Sequence, residues 1–122
     1  MIISAKGRYA LMLMTELGRS RFKPLSVSEL SKRQGISPKY AEQIMAILKR
    51  AGYVESSRGA MGGYKLAMSP QQCRVGDILR LMEGTPEIPN DDALKKLWEK
   101  MLKAVDGVIN SYTVADIMSE TI

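Results

Sequence analysis

Few side chains in this chain are of the types that perform catalysis or bind metal ions. The 122 residues include no histidine and one cysteine, Cys73. Catalytic groups of the Ser-His-Asp and Cys-His types and the usual zinc sites therefore cannot form. No pair of carboxylates is placed among other polar groups as in a catalytic cleft. We expect a protein that is not an enzyme and that holds no metal ion or other cofactor.

The side chains that could do chemistry are hydrogen-bonding groups at helical spacing. Ala41, Ile44 and Leu48 recur every three to four positions and predict one buried helix face. The opposite face holds long polar side chains, namely Lys39, Glu42, Gln43 and Lys49. Such a face can contact the base edges and phosphates of a nucleic acid. The solvated face of an ordinary helix would have the same composition.

Charge is distributed unevenly along the chain. Residues 1–84 contain 14 Lys and Arg against 6 Asp and Glu, a net charge of +8, whereas residues 85–122 contain 4 against 7, a net charge of −3. Concentrated positive charge is typical of a surface that binds a polyanion, because neutralising phosphates releases counterions. Lysines that only aid solubility would be spread more evenly.

Two short helices separated by a tight turn must position the polar face. Ser26 and Glu29 have the spacing of a capping box, in which each side chain accepts a hydrogen bond from the other residue's N–H. Ser37 and Pro38 predict the start of the second helix. Gly35 lies in the turn, where a positive φ suits glycine. The pattern is that of a helix-turn-helix, although any helical hairpin has similar signals.

A β-hairpin is expected after the second helix, which should end at Ala51-Gly52. Two strand-like runs, 53–57 and 64–67, flank the glycine-rich segment RGAMGG that begins at Arg58. This is the pattern of a wing. Its tip would bring backbone close to a sugar-phosphate wall, with Arg58 placed to enter a minor groove. A nucleotide phosphate loop is excluded, because neither of its glycine motifs is present.

The first helix should begin at the cap residue Ser4 and end near Leu17 or Arg19. Lys6, Arg8 and Tyr9 crowd its start, although cations are disfavoured at the positive end of the helix dipole. A nearby anion would relieve this arrangement. A DNA phosphate at the free N–H groups is one interpretation, and a tolerated pair of surface charges is the other.

The C-terminal third combines a short helix, a loop and a long helix. The short helix should span Val75–Met82, and the loop Thr85–Asn90 has two prolines. A long helix should follow, with one apolar stripe made of Leu94, Leu97, Trp98, Met101, Leu102, Val105, Val108, Ile109 and Tyr112. At about 30 Å it is too long for its small domain to cover. We interpret the apolar stripe as a dimer contact, with packing on its own domain as the alternative. A last short helix should begin at Thr113.

Four segments stand out together, namely ISAKGRYAL, SPKYAEQIMAILKRAGYVES, SRGAMGGYKLA and VGDILRLMEG. They resemble the Rrf2 family of bacterial winged-helix transcription regulators, and the resemblance covers essentially the whole chain. It implies a mainly α fold with a small β-hairpin. A winged helix-turn-helix DNA-binding domain, residues 1–84, would precede a linker and C-terminal dimerisation helices, residues 85–122. It also implies a homodimer that places the second helix of the motif in the major groove and the wing in the minor groove.

The resemblance also implies which residues contact double-stranded DNA. They are Ser4, Lys6, Tyr9, Ser26, Ser37, Pro38, Lys39, Tyr40, Glu42, Gln43, Arg58 and Gly59. A carboxylate facing DNA is repelled by phosphates, so Glu42 is expected to accept from a cytosine amino group. The other role open to Glu42 is a pair with Lys39 or a neighbouring lysine on its own helix. The apolar stripe is the implied dimer interface.

One departure from the family concerns cysteine. Its iron–sulfur members have three cysteines in the loop after the short helix, whereas residues 84–98 have none. Thiolates are the ligands that such clusters require, so a cluster cannot form within one chain. The sequence is more similar to cluster-free members, such as a repressor of cysteine metabolism that takes its signal from a partner enzyme. An effector protein and a small molecule both stay open as the source of a signal.

The lone cysteine has two interpretations. Cys73 could be a sensor thiol whose pKa is lowered by the adjacent Arg74, or an inert small residue before a helix. One cysteine excludes an internal disulfide, which points to the cytoplasm. The first residues turn polar at once, so no signal peptide is expected, and no apolar run approaches the ~20 residues of a membrane span.

The sequence therefore predicts a cytoplasmic, homodimeric, sequence-specific DNA-binding transcription regulator that acts as a repressor without an iron–sulfur cluster. The alternative is a protein-interaction module, a winged helix whose apolar stripe docks on a partner enzyme or regulator, since fold alone does not settle function.

Overall fold

The computed structural model describes residues 3–60 and 62–122, and the chain in this structure is mostly helical with one β-hairpin. Met1, Ile2 and Met61, the last of which belongs to the predicted wing tip, lie outside the described residues. The elements in chain order are α1 Ala5–Arg19, α2 Val27–Gln34, α3 Pro38–Arg50, β1 Val54–Ser57, β2 Gly63–Leu66, α4 Val75–Glu83, α5 Asp92–Ile109 and α6 Val114–Met118, with a 3-10 turn at Pro70–Gln72 before α4. The predicted order of helices and strands is confirmed.

A serine cap begins each of the first three helices. The hydroxyl oxygens of Ser4, Ser26 and Ser37 accept hydrogen bonds from the N–H three residues on, at 3.1–3.2 Å, and a cap of this kind stabilises a helix by about 1 kcal/mol. The predicted capping box at Ser26 forms only in half. The Glu29 carboxylate lies 3.5 Å from the Ser26 hydroxyl and 3.9 Å from Arg33, and among the described hydrogen bonds it accepts none from the Ser26 N–H.

Among the described residues, five helices contribute to the core, and two of them, α2 and α3, form the helix-turn-helix. Gly35 makes the turn between them at φ +65°, and Leu30 faces Ile44 and Leu48 across the motif with all three side chains fully buried. The fully buried side chains of α1, α4 and α6 join the same cluster, namely Ala10, Leu13, Met14, Ile78 and Val114. Each large apolar side chain buried in this way contributes about 1.5–3 kcal/mol of transfer free energy.

The hairpin is held to the helices by a contact that the sequence did not predict. β1 and β2 pair antiparallel, with Glu55 opposite Lys65. Leu25, just before α2, adds a third short extended segment: its N–H donates to Tyr64 at 2.9 Å, and the Tyr64 N–H donates back at 2.7 Å. Gly63 permits this approach, since a Cβ there would lie 2.5 Å from the Leu25 carbonyl oxygen. The wing, residues 54–66, is thereby fixed at its second strand.

The long helix differs from its prediction at its end. α5 stops at Ile109, so Tyr112 is not on the helix with the rest of the apolar stripe. Its carbonyl instead accepts from the Val75 N–H at 2.9 Å, and the Val114 N–H donates to the Cys73 carbonyl at 2.8 Å. Through these bonds α6 packs against the N-terminal core, where Val114 is fully buried. The division of the chain at residue 84 stays a prediction.

Candidate nucleic-acid interface

The first two turns of α3 present an exposed polar face. Lys39, Glu42 and Gln43 are exposed, whereas Ala41, Ile44 and Leu48 on the opposite face are fully buried. Within residues 3–60 and 62–122, Glu42 forms no ion pair within 4 Å. The pairing with Lys39 that the sequence left open is therefore not formed in this structure. The face presents donors and an acceptor at the helix start, where a recognition helix meets base edges.

The far end of α3 is tied to the wing. Lys49 donates from Nζ to the Ser56 hydroxyl on β1 at 2.8 Å, so its ammonium group is engaged within the chain. Ser56 had no role in the sequence analysis, because its proximity to Lys49 depends on how the wing folds back beside α3. The hydrogen bond joins the C-terminal end of the helix to the first strand of the wing.

The start of α1 lies beside the start of α3. The rings of Tyr9 and Tyr40 meet edge to face, with centroids 5.9 Å apart and an interplanar angle of 87°. The Arg8 guanidinium lies 5.4 Å from the centroid of the Tyr9 ring, within the range of a cation–π interaction. Two sets of predicted contact residues, those of the first helix and those of the recognition helix, are thus brought together.

The anion that the start of α1 was expected to need is supplied by the protein. Glu83, the last residue of α4, accepts hydrogen bonds at Oε1 from the Ser4 N–H at 2.8 Å and from the Ser4 hydroxyl at 2.6 Å. α1 has no acidic residue in its own first turn. Sequence reasoning missed Glu83, since it took the residue only as the end of a short helix. The sequence did contain a signal for such a partner, because Lys6 and Arg8 lie at a helix N-terminus whose first turn has no carboxylate of its own.

The wing tip presents its arginine to solvent. Arg58 and Gly59 are exposed, and Gly59 has φ +99° and accepts from the Gly62 N–H at 3.0 Å. Among the described ion pairs none includes Arg58, whereas Lys65 on β2 pairs with Glu55 at 3.3 Å. The guanidinium is therefore available for a phosphate or for a narrow minor groove.

Ser26 occupies a different position from the other predicted contact residues. It is half-buried at the start of α2, its hydroxyl accepts from the Glu29 N–H, and its backbone lies against Gly63 of the wing. Ser37 and Pro38 are exposed at the start of α3, with the Ser37 hydroxyl accepting from the Tyr40 N–H. We call the outer face of α3, the wing tip 58–60 and the start of α1 the candidate interface. The DNA contacts themselves stay predictions.

The apolar stripe divides into two edges along α5. Leu94, Leu97 and Val108 are 47%, 51% and 59% exposed, and Met101 shares their edge. Trp98, Leu102, Val105 and Ile109 form the other edge and are half-buried. The last three line a groove of about 490 Å³ against Leu79 and Glu83 of α4. The chain's own domain therefore covers the stripe only in part, and the described residues leave its other edge exposed.

Cys73 is enclosed rather than poised for reaction. Its side chain is fully buried, and the thiol donates to the Ser69 carbonyl at 3.5 Å. Burial raises the pKa of the Cys73 thiol from 9.0 to about 11, because the thiolate would lose its hydration. Of the two interpretations of Cys73, this environment favours the inert residue, since the pKa is raised and not lowered as a sensor thiol beside Arg74 would require. A thiol of this kind is a poor nucleophile at neutral pH.

The donor set does not fit an iron–sulfur cluster or a mononuclear metal site. Clusters need several thiolates, and the chain has one cysteine, which is enclosed in the core, and no histidine. Within the described residues, no three Cys, His, Asp or Glu side chains come together in a way that could hold a metal ion. Among the same residues, no helix combines the length and the hydropathy needed to cross a membrane.

Comparison with known proteins gives one consistent result. Residues 3–120 match the family model Rrf2, described as an iron-dependent transcriptional regulator. The chain is 39% identical over 127 residues to the HTH-type transcriptional regulator CymR of Bacillus subtilis, covering 99% of this chain and 92% of that protein.

Solved structures agree with the sequence match. The structure of B. subtilis CymR, described as the global cysteine regulator, superposes with a TM-score of 0.87 at 38% identity, covering 100% of this chain and 99% of the other. The structure of T. potens IscR also gives a TM-score of 0.87 at 38% identity, covering 100% and 89%. The winged-helix fold predicted from the sequence is confirmed by both.

Proposed function

Because the chain belongs to the Rrf2 family and is a DNA-binding transcriptional regulator, we propose that it binds a two-fold symmetric DNA site as a homodimer and represses transcription without a metal cofactor. The observation that supports this most directly is the convergence of three features on one surface. Tyr9 and Tyr40 join the start of α1 to α3, and Lys49 and Ser56 join α3 to β1 of the wing, so the polar face of α3, the cations of α1 and Arg58 belong to elements in mutual contact. A protein-interaction module would need none of these to coincide.

Base recognition is assigned to the first two turns of α3. Inserted in the major groove, Gln43 can pair with an adenine, and Glu42 can accept from a cytosine amino group. Ser37, Pro38, Lys39 and Tyr40 lie at the helix start, where side chains and N–H groups meet the phosphate backbone. Arg58 and Gly59 read the width of the neighbouring minor groove. Lys6 and Tyr9 add phosphate contacts from α1, and Ser26 does so from the start of α2.

In the proposed homodimer, a second copy of the chain packs against the apolar stripe. Leaving its exposed edge, which includes Leu94, Leu97 and Val108, in water costs about 25 cal/mol of free energy for every Å² of apolar surface. A two-fold contact along α5 would cover that edge on both copies at once. Binding to two half-sites further requires that this contact hold both copies of α3 on one side of the dimer.

Repression follows from occupancy in this proposal. A dimer that covers two successive major-groove half-sites excludes polymerase from a promoter that overlaps them. No step requires iron, since the donor set does not fit a cluster. The sign of regulation is tested by transcription in vitro from a promoter that contains the selected site. Repression requires that transcript yield falls as the protein is added, and a rise would make the protein an activator.

The test of DNA binding is a selection from random duplexes, followed by a salt series on the selected site and by measurement of the mass of the complex. We expect a palindromic site, two protomers per duplex, and log affinity that falls linearly with log salt, because each phosphate contact releases counterions. Absence of binding at low salt would refute the proposal and favour a protein partner for the apolar stripe.

The wing is tested by Arg58→Ala. We expect a loss of about 1–3 kcal/mol of binding free energy on the selected site, with the largest loss on sites whose minor groove is narrow at the wing. Arg19→Ala is a matched control, since Arg19 is an exposed arginine at the C-terminal end of α1, the end of that helix outside the candidate interface. Equal losses for the two variants would show that Arg58 contributes only net charge.

A further inference from the structure

The start of α1 is hydrogen-bonded to the end of α4. Oε1 of Glu83 accepts from both the N–H and the hydroxyl of Ser4, at 2.8 and 2.6 Å, while the same hydroxyl accepts from the Gly7 N–H at 3.2 Å. A Cβ at Gly7 would lie 2.6 Å from that carboxylate oxygen and 3.0 Å from a methyl group of Leu79. A side chain at this position would therefore displace the Glu83 carboxylate from its place beside Ser4.

The position of Glu83 is unfavourable for its own helix. It is the last residue of α4, and Gly84 follows with φ +73°. An anion at the C-terminal end of a helix meets the negative end of the dipole, whereas an anion at an N-terminus is stabilised by it. The Glu83 carboxylate is thus explained by α1, whose N-terminus it caps, and not by α4.

The contact also fixes which groups at the start of α1 can reach DNA. With the N–H and hydroxyl of Ser4 both donating to Glu83, neither is left to donate to a phosphate. Lys6 lies two residues on and forms no ion pair among the described residues. Tyr9 is held against Tyr40 of the recognition helix.

We propose that Glu83 is a positioning residue for DNA binding, a role that rests on the DNA binding proposed above. It anchors Ser4, and so orients the first turn of α1 so that Lys6 faces a phosphate. Ser4 acts through Glu83 and does not contact DNA itself. The carboxylate offsets the positive helix end on the side of Gly7, whereas Lys6, one residue earlier, projects about 100° away around the helix.

The experiment measures affinity and salt slope on the selected site for the wild-type protein, Glu83→Ala, Ser4→Ala and the double variant. We expect Glu83→Ala to bind roughly three- to tenfold more weakly, with the slope of log affinity against log salt smaller by about one, because one phosphate contact is lost. Ser4→Ala should lose the same contact, and the double variant should be no worse than either single variant, as for two residues acting as a unit.

Glu87→Ala is the matched control, since it removes the same charge from the exposed loop four residues later. It should leave the slope unchanged. Glu83→Gln keeps the oxygen acceptor and should restore most of the slope. If Glu83→Ala does not fold, as judged by circular dichroism, Glu83→Asp replaces it, because a side chain one methylene shorter cannot reach Ser4.

Three results would overturn the proposal. The first is a salt slope in Glu83→Ala equal to that of the wild type. The second is tighter DNA binding by Glu83→Ala than by Glu87→Ala, which would mean that the carboxylate only repels DNA. The third is a further loss of affinity when Ser4→Ala is added to Glu83→Ala, which would mean that Ser4 contacts a phosphate directly. If the wild-type protein selects no site at all, the proposed DNA binding fails instead.

Discussion

At the scale of single residues, the candidate interface is held by partners on other elements. Lys49 of α3 donates to Ser56 of β1, and the ring of Tyr9 from α1 packs edge-on to Tyr40 of α3. Each contact joins two of the three parts of the interface, so the spacing between recognition helix, wing and α1 is fixed before DNA arrives. Preorganisation of this kind lowers the entropy lost on binding.

Glu42 should determine one base pair in each half-site. It is exposed and unpaired within the described residues, so a carboxylate beside phosphates is favourable only when it accepts from a cytosine amino group. We expect Glu42→Ala to relax the preference at that position, with a change of about 1–3 kcal/mol in discrimination. Selection with sequencing of the bound fraction measures it. Glu99→Ala on α5 is the control, and an unchanged consensus for Glu42→Ala would contradict the assignment.

The Cys73 thiol should make the folded state sensitive to alkaline pH. Its pKa is raised from 9.0 to about 11 by burial, whereas in the unfolded chain the thiol ionises near its ordinary pKa. The folded state therefore binds more protons above pH 9, and stability falls with rising pH. The contribution is present in full below about pH 9 and is lost as the pH rises through about 11.

The comparison of wild type with Cys73→Ala isolates this effect. Urea unfolding should show the wild-type protein more stable at pH 8, because alanine leaves a cavity in the core. The difference should shrink between pH 9 and pH 10.5, since only the wild type has the thiol. A difference that stays constant over this range would show that Cys73 ionises as readily in the folded state as in the unfolded chain.

At the scale of elements, the sequence predicted what is encoded locally. Serine caps, Pro38 and the glycines at 35 and 52 determine where helices begin and end, and the apolar periodicity of α3 identifies its buried face. Glu83 and the pairing of Leu25 with Tyr64 could not be predicted, because they join residues 79 and 39 positions apart. The end of α5 was misplaced since Tyr112 continues the apolar spacing, whereas its carbonyl is taken by Val75.

In the candidate site, too, local features could be predicted from the sequence and contacts between distant residues could not. Residue types on the face of α3 and at Arg58 follow from helical and hairpin patterns, so their exposure could be predicted. Whether Ser4 offers its donors to DNA depends on α4, and sequence spacing has no information about that contact. The enclosed position of Cys73 likewise depends on α6, whose Val114 bonds to the Cys73 carbonyl.

The attachment of the wing should be sensitive to one glycine. Gly63 has φ +150°, and a Cβ there would lie 2.5 Å and 2.6 Å from the carbonyl oxygen and carbon of Leu25. Because these are backbone atoms, Gly63→Ala must displace the strand or Leu25, and we expect a loss of about 1–3 kcal/mol in the free energy of unfolding. Urea denaturation at fixed protein concentration measures it.

Gly107→Ala is a control for which the opposite change in stability is expected. Gly107 lies within α5, where a Cβ would meet nothing within 4 Å, so alanine should stabilise the protein by up to about 1 kcal/mol through helix propensity. A Gly63→Ala variant as stable as the wild type would show that the wing is not fixed through Leu25.

At the scale of the whole molecule, charge and hydropathy are separated along the chain. The basic residues belong mainly to the part that contains α3 and the wing, and the acidic excess to the part that contains α5. In the proposed complex, the positive field would steer the candidate interface toward DNA. The acidic excess would keep the exposed edge of the apolar stripe away from the phosphates, where the proposed dimer uses it.

Dimerisation and DNA binding should therefore be lost together when the stripe is interrupted. Leu97 is 51% exposed on the outer edge of α5, and in the proposed dimer an aspartate there would be buried without a partner, at a cost of several kcal/mol per protomer. We expect Leu97→Asp to be monomeric by analytical ultracentrifugation. Each protomer would still bind a single half-site, but without its neighbour the affinity for the full site should fall by about 10²- to 10⁴-fold, the gain that linkage provides.

The matched control introduces the same residue on the opposite side of the helix. Lys103→Asp changes the net charge by one unit more than Leu97→Asp, yet it lies away from the apolar stripe on the exposed side of α5. If electrostatics alone governed DNA binding, Lys103→Asp would be the weaker binder. If the stripe forms the dimer contact, Lys103→Asp stays dimeric with only a small loss of affinity, and Leu97→Asp loses both properties. A monomeric Leu97→Asp that binds the full site as tightly as the wild type would mean that the two half-sites are read independently, and the two-fold arrangement of the recognition helices would have to be abandoned.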